Sequence, residues 1–190
     1  MQRPDEQRRA EIMRVAAALF AARPYHEVRL DDVAAAARIS KGAIYTYFGS
    51  KDELYLSLLK ESSSRVLTEI RALCAAGVAS PEDTLRRVLR AFVRFFVEHP
   101  QLARLMRTGQ LPPPDAELEA LRAEGIELVA GVIRRGIEAG RMQDRHPRWT
   151  VELLVGAVAE TTAFAEEPPD PAELADHIAD VALHGLVRRG

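Results

Sequence analysis

Lys41, Tyr45, Thr46, Tyr47 and Lys51 crowd cations and hydroxyls into the stretch RISKGAIYTYFGSKDEL at 38–54. Side chains of these types hydrogen-bond to phosphates and to base edges. Gly42 and Ala43 lie among them, small enough for a backbone to come close to another surface. A helix opening at Ser40 would also aim its free N–H groups at an anion. Ile44 and Phe48, four apart, fall on one face and can pack inward together. The hydroxyls at 45, 46 and 47 then project at successive angles, so some face outward. This is the chemistry of a short helix laid in the major groove of DNA. The plainer reading is an amphipathic helix whose tyrosines edge a core, and the residues alone leave both open.

The elements that must position this stretch read as helices throughout. No segment keeps a strand-like alternation between turns. A first helix runs from about Asp5 to Arg23, with Ile12, Val15, Ala16, Leu19 and Phe20 on one stripe, and Pro24 stops it. A second covers about Leu30 to Ala37, with Asp31 and Asp32 at the positive end of its dipole. Ser40 caps a third, Lys41 to about Phe48. Ser50-Lys51-Asp52-Glu53 is a capping-box pattern that opens a long fourth helix ending near Gly77. Ser80-Pro81 opens a fifth with proline in its first turn, and Pro100 breaks it. A short sixth reaches about Gly109, a loop holds Pro112 to Pro114, and a seventh runs from about Asp115 to Gly140. An eighth spans about Arg148 to Glu167, and Asp170-Pro171 opens a ninth that nearly reaches the C-terminus. The expectation is all-α, with about nine helices. A short helix, a three-residue turn and a second short helix, steadied by a longer one in front, is the helix-turn-helix plan.

Composition sets outer bounds. Of 190 residues 47% are apolar, enough for one or two domains with a core. Cys74 is the only cysteine, so no intrachain disulfide is possible and a reducing cytosol suits the chain. The longest apolar run, Val15 to Ala22, falls short of the roughly 18–20 residues of a membrane span; no span and no signal peptide are expected. Net charge is −2, but residues 1–60 hold ten Lys and Arg against eight Asp and Glu, and residues 61–190 hold sixteen against twenty. The contrast is modest, and all three lysines, Lys41, Lys51 and Lys60, lie in the first third.

From about Glu6 to Val66 the sequence resembles the N-terminal domain of the tetracycline-repressor (TetR) family of bacterial transcriptional regulators. The likeness rests on AALF in the first helix, LDDVAAAARIS through the turn, and KGAIYTYFGSKDEL after it. It implies a DNA-binding domain over 6–66, with the helix-turn-helix at about 29–48, and a helical effector-binding and dimerisation domain over 67–190. Tyr45 and Thr46, with Lys41 and Tyr47, would touch base edges or phosphates. Lys51, Ser40 and Arg29 would position the backbone, and Gly42 and Ala43 would form the small leading turn. Three positions depart from the family's habit. Pro24 stands where glycine is usual, Arg29 where a capping threonine is usual, and Arg38 where the turn commonly has glycine. If residue 38 needs a left-handed backbone, arginine there is strained by about 1–2 kcal/mol.

The resemblance further implies a cytoplasmic homodimer, more a repressor than an activator, that binds a double-stranded operator and answers to a small apolar or amphipathic effector. No cofactor, metal or catalytic residue is implied. For the dimer contact, the last two helices offer Val151, Leu154, Val155 and Val158, then Ile178, Val181, Ala182 and Leu186, with small residues beside them. These stripes can equally face the chain's own core. For an apolar cavity, Phe92, Phe95 and Phe96 are spaced i, i+3, i+4, followed by Leu102 and Met106. Ordinary core is the alternative. Ser62 to Ser64, Thr161, Thr162 and Trp149 are weaker candidates for the same cavity.

His177, Asp180 and His184 share a helical face that could hold a metal, and Ser57 to Lys60 matches a serine–lysine spacing found in acyl enzymes. Neither has companion motifs, so neither is adopted. The alternative to a DNA-binding regulator is a helical dimer whose helix-turn-helix contacts protein. Salt separates the two, because DNA binding releases counterions and an apolar contact does not.

Overall fold

The computed structural model describes residues 4–75, 79–102, 115–164 and 170–186. All its regular elements are helical. In chain order they are α1 (Pro4–Ala22), a 3-10 turn (Tyr25–Glu27), α2 (Leu30–Ala36), α3 (Lys41–Tyr47), α4 (Lys51–Ala75), α5 (Pro81–Glu98), α6 (Ala116–Glu138), α7 (Pro147–Phe164) and α8 (Pro171–Leu186). Residues 100–102 are helical again after His99. The remainder of the short segment expected to reach Gly109, with Met106 in it, lies outside the described residues.

The boundaries have local causes. Ser40 Oγ accepts from the Ala43 N–H at 3.1 Å and fixes the start of α3. Ser50 Oγ accepts from the Glu53 N–H at 3.0 Å, and Glu53 Oε2 accepts in return from Gly49 N–H at 3.0 Å. Ser80, Asp115 and Asp170 cap α5, α6 and α8 in the same manner. The end of α6 is a Schellman turn. Gly140 sits at φ +70, its N–H donates to Ile137 O at 2.9 Å, and Arg141 N–H donates to Gly136 O at 2.9 Å.

Two apolar clusters hold the chain together. The first gathers Ile12, Ala16 and Phe20 of α1, Val33 of α2, Ile44 of α3 with Phe48, and Leu54 and Tyr55 of α4. The second is larger and joins α4 to α5, α6, α7 and α8, through residues such as Ile70, Leu89, Phe96, Ile133, Val158 and Ala179. We call these the head and the body. Among the described helices, α4 is the one that gives fully buried residues to both. Within the body, α5 packs along α8 and α4 along α6, each contact edged by arginine–carboxylate pairs such as Arg90–Asp176 at 2.8 Å and Arg71–Glu124 at 2.7 Å.

Candidate nucleic-acid interface and interior cavity

Burial orients α3. Ile44 and Phe48 are 0% and 1% exposed, so the opposite face must look outward. That face carries Lys41, Gly42, Tyr45 and Thr46, all exposed. A Cβ on Gly42 would meet nothing within 4 Å, so the chain's own packing does not demand glycine there. Its lack of a side chain leaves the helix backbone open to close approach from outside. Thr46 Oγ1 donates back to Gly42 O at 3.2 Å, and its lone pairs remain open to a donor. Lys41 Nζ pairs with Asp31 Oδ2 at 2.8 Å, tying the starts of α2 and α3 together; that hydrogen bond and charge hold the ammonium protonated above its ordinary range.

Other residues of the stretch are placed less openly. Tyr47 is half-buried, and its hydroxyl is hydrogen-bonded to Asp5, which raises its pKa. Lys51 leans inward. Its Nζ donates to Tyr25 O at 2.9 Å and lies 4.2 Å from the Tyr25 ring centroid, and burial lowers its pKa. One Lys51 donor thus seats the 3-10 turn against α4, while the residue stays partly exposed at the start of that helix. The Tyr25 hydroxyl reaches the neighbouring Asp52 carboxylate. Tyr25, which sequence reasoning passed over, is thus the hub between α1 and α4, and only its proximity to Pro24 hinted at a turn residue.

Arg29 and Arg38 are exposed. The Arg29 backbone N–H donates to Asp32 Oδ2 at 3.1 Å, and the Asp32 N–H that a capping hydroxyl would take donates instead to Arg29 O at 3.1 Å. Arg38 takes φ +54, the left-handed backbone that makes glycine the low-strain residue at this turn. The residue is exposed two positions before the Ser40 cap.

Among the described residues, the body holds an apolar cavity of about 220 Å³ between α4, α5, α6 and α7, open on the side of the exposed Glu119 and Arg122. Phe92, Phe95, Phe96 and Leu102 line it, opposite Leu67 of α4 and Ile126 of α6. Its polar lining groups are Ser63, Glu119 and Arg122. Ser62 is buried and accepts from Arg65 instead. Thr162 is not in the wall: its hydroxyl donates to Val158 O at 2.8 Å within α7. Thr161 is exposed and donates to Ala157 O at 2.8 Å. Trp149 is exposed and stacks on His146.

Among the residues read as a dimer contact, Val151, Val158 and Ile178 are 1%, 0% and 7% exposed and belong to the body's own core. Their side chains have no surface to offer a partner. Val155 lines the cavity, and Leu154 and Ala182 are half-buried. Val181 faces outward at 64% exposure, together with Trp149 at 64% and Leu153 at 74% on α7. Gly156 and Ala157 are exposed near them. The outward stripe is thus displaced around α7 from the apolar one, and the Leu186 side chain lies outside the described residues. Of the other groups weighed, Asp180 pairs with Arg86 at 2.6 Å, and Lys60 pairs with Asp115 at 2.8 Å. No described helix is long and apolar enough to cross a membrane.

Comparison with known proteins agrees with this geometry. Residues 12–58 match the family model described as bacterial regulatory proteins, tetR family. Residues 78–186 match the model of the tetracyclin repressor-like C-terminal domain. The HTH-type transcriptional repressor NicS of Pseudomonas putida is 27% identical over 197 residues, covering 95% of this chain and 92% of the relative. The HTH-type transcriptional repressor SCO4008 of Streptomyces coelicolor is 30% identical over 159 residues, covering 83% of this chain and 79% of the relative. Among solved structures, the fatty acid degradation regulator FadR of Bacillus halodurans superposes with a TM-score of 0.76 at 21% identity over the whole of both chains. FadR of Bacillus subtilis, in complex with stearoyl-CoA, gives 0.73 at 19% identity, covering 93% of this chain and 98% of that one. With both of its parts matched, this chain belongs to the tetracycline-repressor (TetR) family of helix-turn-helix transcriptional regulators.

Proposed function

We propose that two copies of this chain bind a roughly palindromic DNA operator as a cytoplasmic homodimer, acting as a repressor that a small molecule releases. The observation that carries the DNA reading is the outward face of α3, where Lys41, Gly42, Tyr45 and Thr46 stand clear while Ile44 and Phe48 are locked inward. Tyr45 and Thr46 are the residues placed to read bases. Lys41, Ser40, Ala43 and the exposed Arg29 flank them for phosphate contact, with Arg38 adding a further cation. Tyr47 and Lys51 contribute chiefly by fixing the helix on the head.

The effector would be apolar or amphipathic, because among the described residues the cavity wall is aromatic and aliphatic, with Ser63, Glu119 and Arg122 as its polar groups. That a Bacillus subtilis neighbour was solved with stearoyl-CoA supports a ligand of this character without naming this chain's own. The dimer would form on the outward stripe of Trp149, Leu153 and Val181. Since α4 enters both cores, a ligand that moves it changes the distance between the two α3 helices. Half-sites one turn apart require about 34–36 Å, and a coupling of about 1–3 kcal/mol suffices for a switch.

Nuclease footprinting on the DNA flanking this protein's own gene tests the proposal. The expected result is two protected half-sites one helical turn, or a multiple of it, apart. A single protected site, or none at protein concentrations that saturate random DNA, would count against the operator-bound dimer.

A further inference from the structure

Two buried polar atoms, Tyr55 Oη and His99 Nε2, lack a hydrogen-bond partner among the described residues. A third such atom, Glu82 Oε2, belongs to a carboxylate whose other oxygen pairs with Arg141 at 3.0 Å, so it is not abandoned in the same sense. The first two come from opposite sides of one joint. Tyr55 lies on α4 in the head core, 2% exposed, with its ring 4.9 Å from that of Phe20. His99 follows α5 in the body, and its ring lies 5.0 Å from Phe95, which lines the interior cavity.

Both residues border one small void, closed on the head side by Ala17, Phe20 and Ala21 and bordered also by Gln101. Gln101 is itself only 6% exposed. The void leaves about 10 Å³ for the centre of a water-sized sphere. That is about the least a single water needs, and a buried water also needs two to four polar partners. A buried phenol or imidazole left bare forfeits its hydration without return. Water can give and accept two hydrogen bonds each way, so it serves a phenol and an imidazole in either tautomer. Nothing apolar could do so.

We propose that this void binds one water, shared by Tyr55 Oη and His99 Nε2 beside the Gln101 side chain, which forms a polar link across the joint between head and body. The charged groups around it are Arg65 on α4, whose field acts on the His99 ring, and Glu98, which borders the void; α1 presents only Ala17, Phe20 and Ala21 there. What the link transmits depends on the regulator reading above, since Phe95 stands between the cavity and His99. The water itself does not depend on it.

Two measurements on the full chain decide the matter. In a crystal structure fine enough to show ordered waters, one water should lie within hydrogen-bonding distance of both atoms. A dry void with Tyr55 Oη bonded directly to His99 Nε2, or each bonded elsewhere, would overturn the proposal. In thermal unfolding at pH 7.5 and fixed protein concentration, Y55F and H99F should each lower the midpoint by a few degrees, about 2–4 °C per lost interaction for a chain of this size. The double variant should lose much less than the sum, because the second substitution removes a group already bereft of its shared partner. Strictly additive losses would overturn the sharing. If H99F does not fold, H99Q paired with Y55F closes the same cycle. DNA selectivity of the unsubstituted chain, measured separately, tests the regulator reading, so either idea can fail without the other.

Discussion

Acid should weaken this fold through one histidine more than through the rest. Burial and the nearby Arg65 charge lower the His99 pKa to about 4, whereas an unfolded chain restores about 6.5. Below pH 6.5 the unfolded state therefore binds a proton that the folded state refuses. Stability falls as pH drops from about 6.5 towards 4, and it levels off below that. Linkage over this pair of values gives a loss of about 2 kcal/mol between pH 8 and pH 5. Spread over a urea slope of about 2 kcal/mol/M, that moves the unfolding midpoint by about 1 M. The assay is urea unfolding of the wild type and of His99→Phe at pH 7.5 and pH 5, at one protein concentration because a dimer's stability depends on it. Carboxylates that titrate in the same interval contribute equally to both proteins, so the difference of differences isolates His99. Glu82 and Asp115, whose partners hold their pKa values down, cancel in this way. The variant should show a pH dependence shallower by about 1 M in midpoint. Identical slopes in the two proteins would refute the claim that His99 is held neutral by burial.

Four shorter predictions follow from the same geometry. Gly136→Ala would place a Cβ 2.5 Å from Met142 Sδ and 2.8 Å from its Cγ, and Met142 is 2% exposed with little room to yield; denaturant unfolding should show a loss of about 1–3 kcal/mol. Leu153→Glu alters a side chain that is 74% exposed, so its circular dichroism should match wild type while sedimentation shows monomer; a persistent dimer would remove α7 from the interface. Tyr45→Ala should narrow the preference for operator over random DNA by anisotropy without lowering the melting temperature. Lys51→Ala should lower both DNA affinity and melting temperature, because its ammonium seats Tyr25; a variant with unchanged stability would return Lys51 to a purely phosphate-facing role.

What could be read from the sequence was set by local chemistry. Proline at 24, serine at 40, 50 and 80, aspartate at 115 and 170, and glycine at 140 act within a turn of where they stand, and the helices begin and end beside them. The inward pair Ile44 and Phe48 followed from helical spacing alone. The left-handed backbone at Arg38 was foreshadowed by the resemblance and confirms that the turn carries strain. Phe92, Phe95 and Phe96, spaced i, i+3, i+4, share one side of α5 and border the cavity there.

The misreadings have a common cause. Helical periodicity says which residues share a face, but not whether that face meets the chain's own core or its surface. On α7 the more apolar stripe, Val151 and Val158, went inward, and the less regular one, Trp149 and Leu153, was left outside. Thr162 fails as a lining residue because α7 turns it along its own backbone. The contact of Lys51 with Tyr25 was not legible because Tyr25 lies 26 residues earlier in the chain, and nothing local to either residue reveals the pairing. The neighbourhood of Tyr55 and His99 was illegible for the same reason: they lie 44 residues apart in the sequence, and they border one void only in the folded chain.

The central claim is that the outward face of α3 binds DNA and reads its sequence. Fluorescence anisotropy on the DNA flanking this protein's own gene, with random DNA as control and repeated across a salt series, tests it most directly. The account predicts tight binding at two subunits per site, a steep linear fall of log affinity with log salt, and a clear preference over the random duplex. Binding that is weak, equal on both duplexes and indifferent to salt would contradict it.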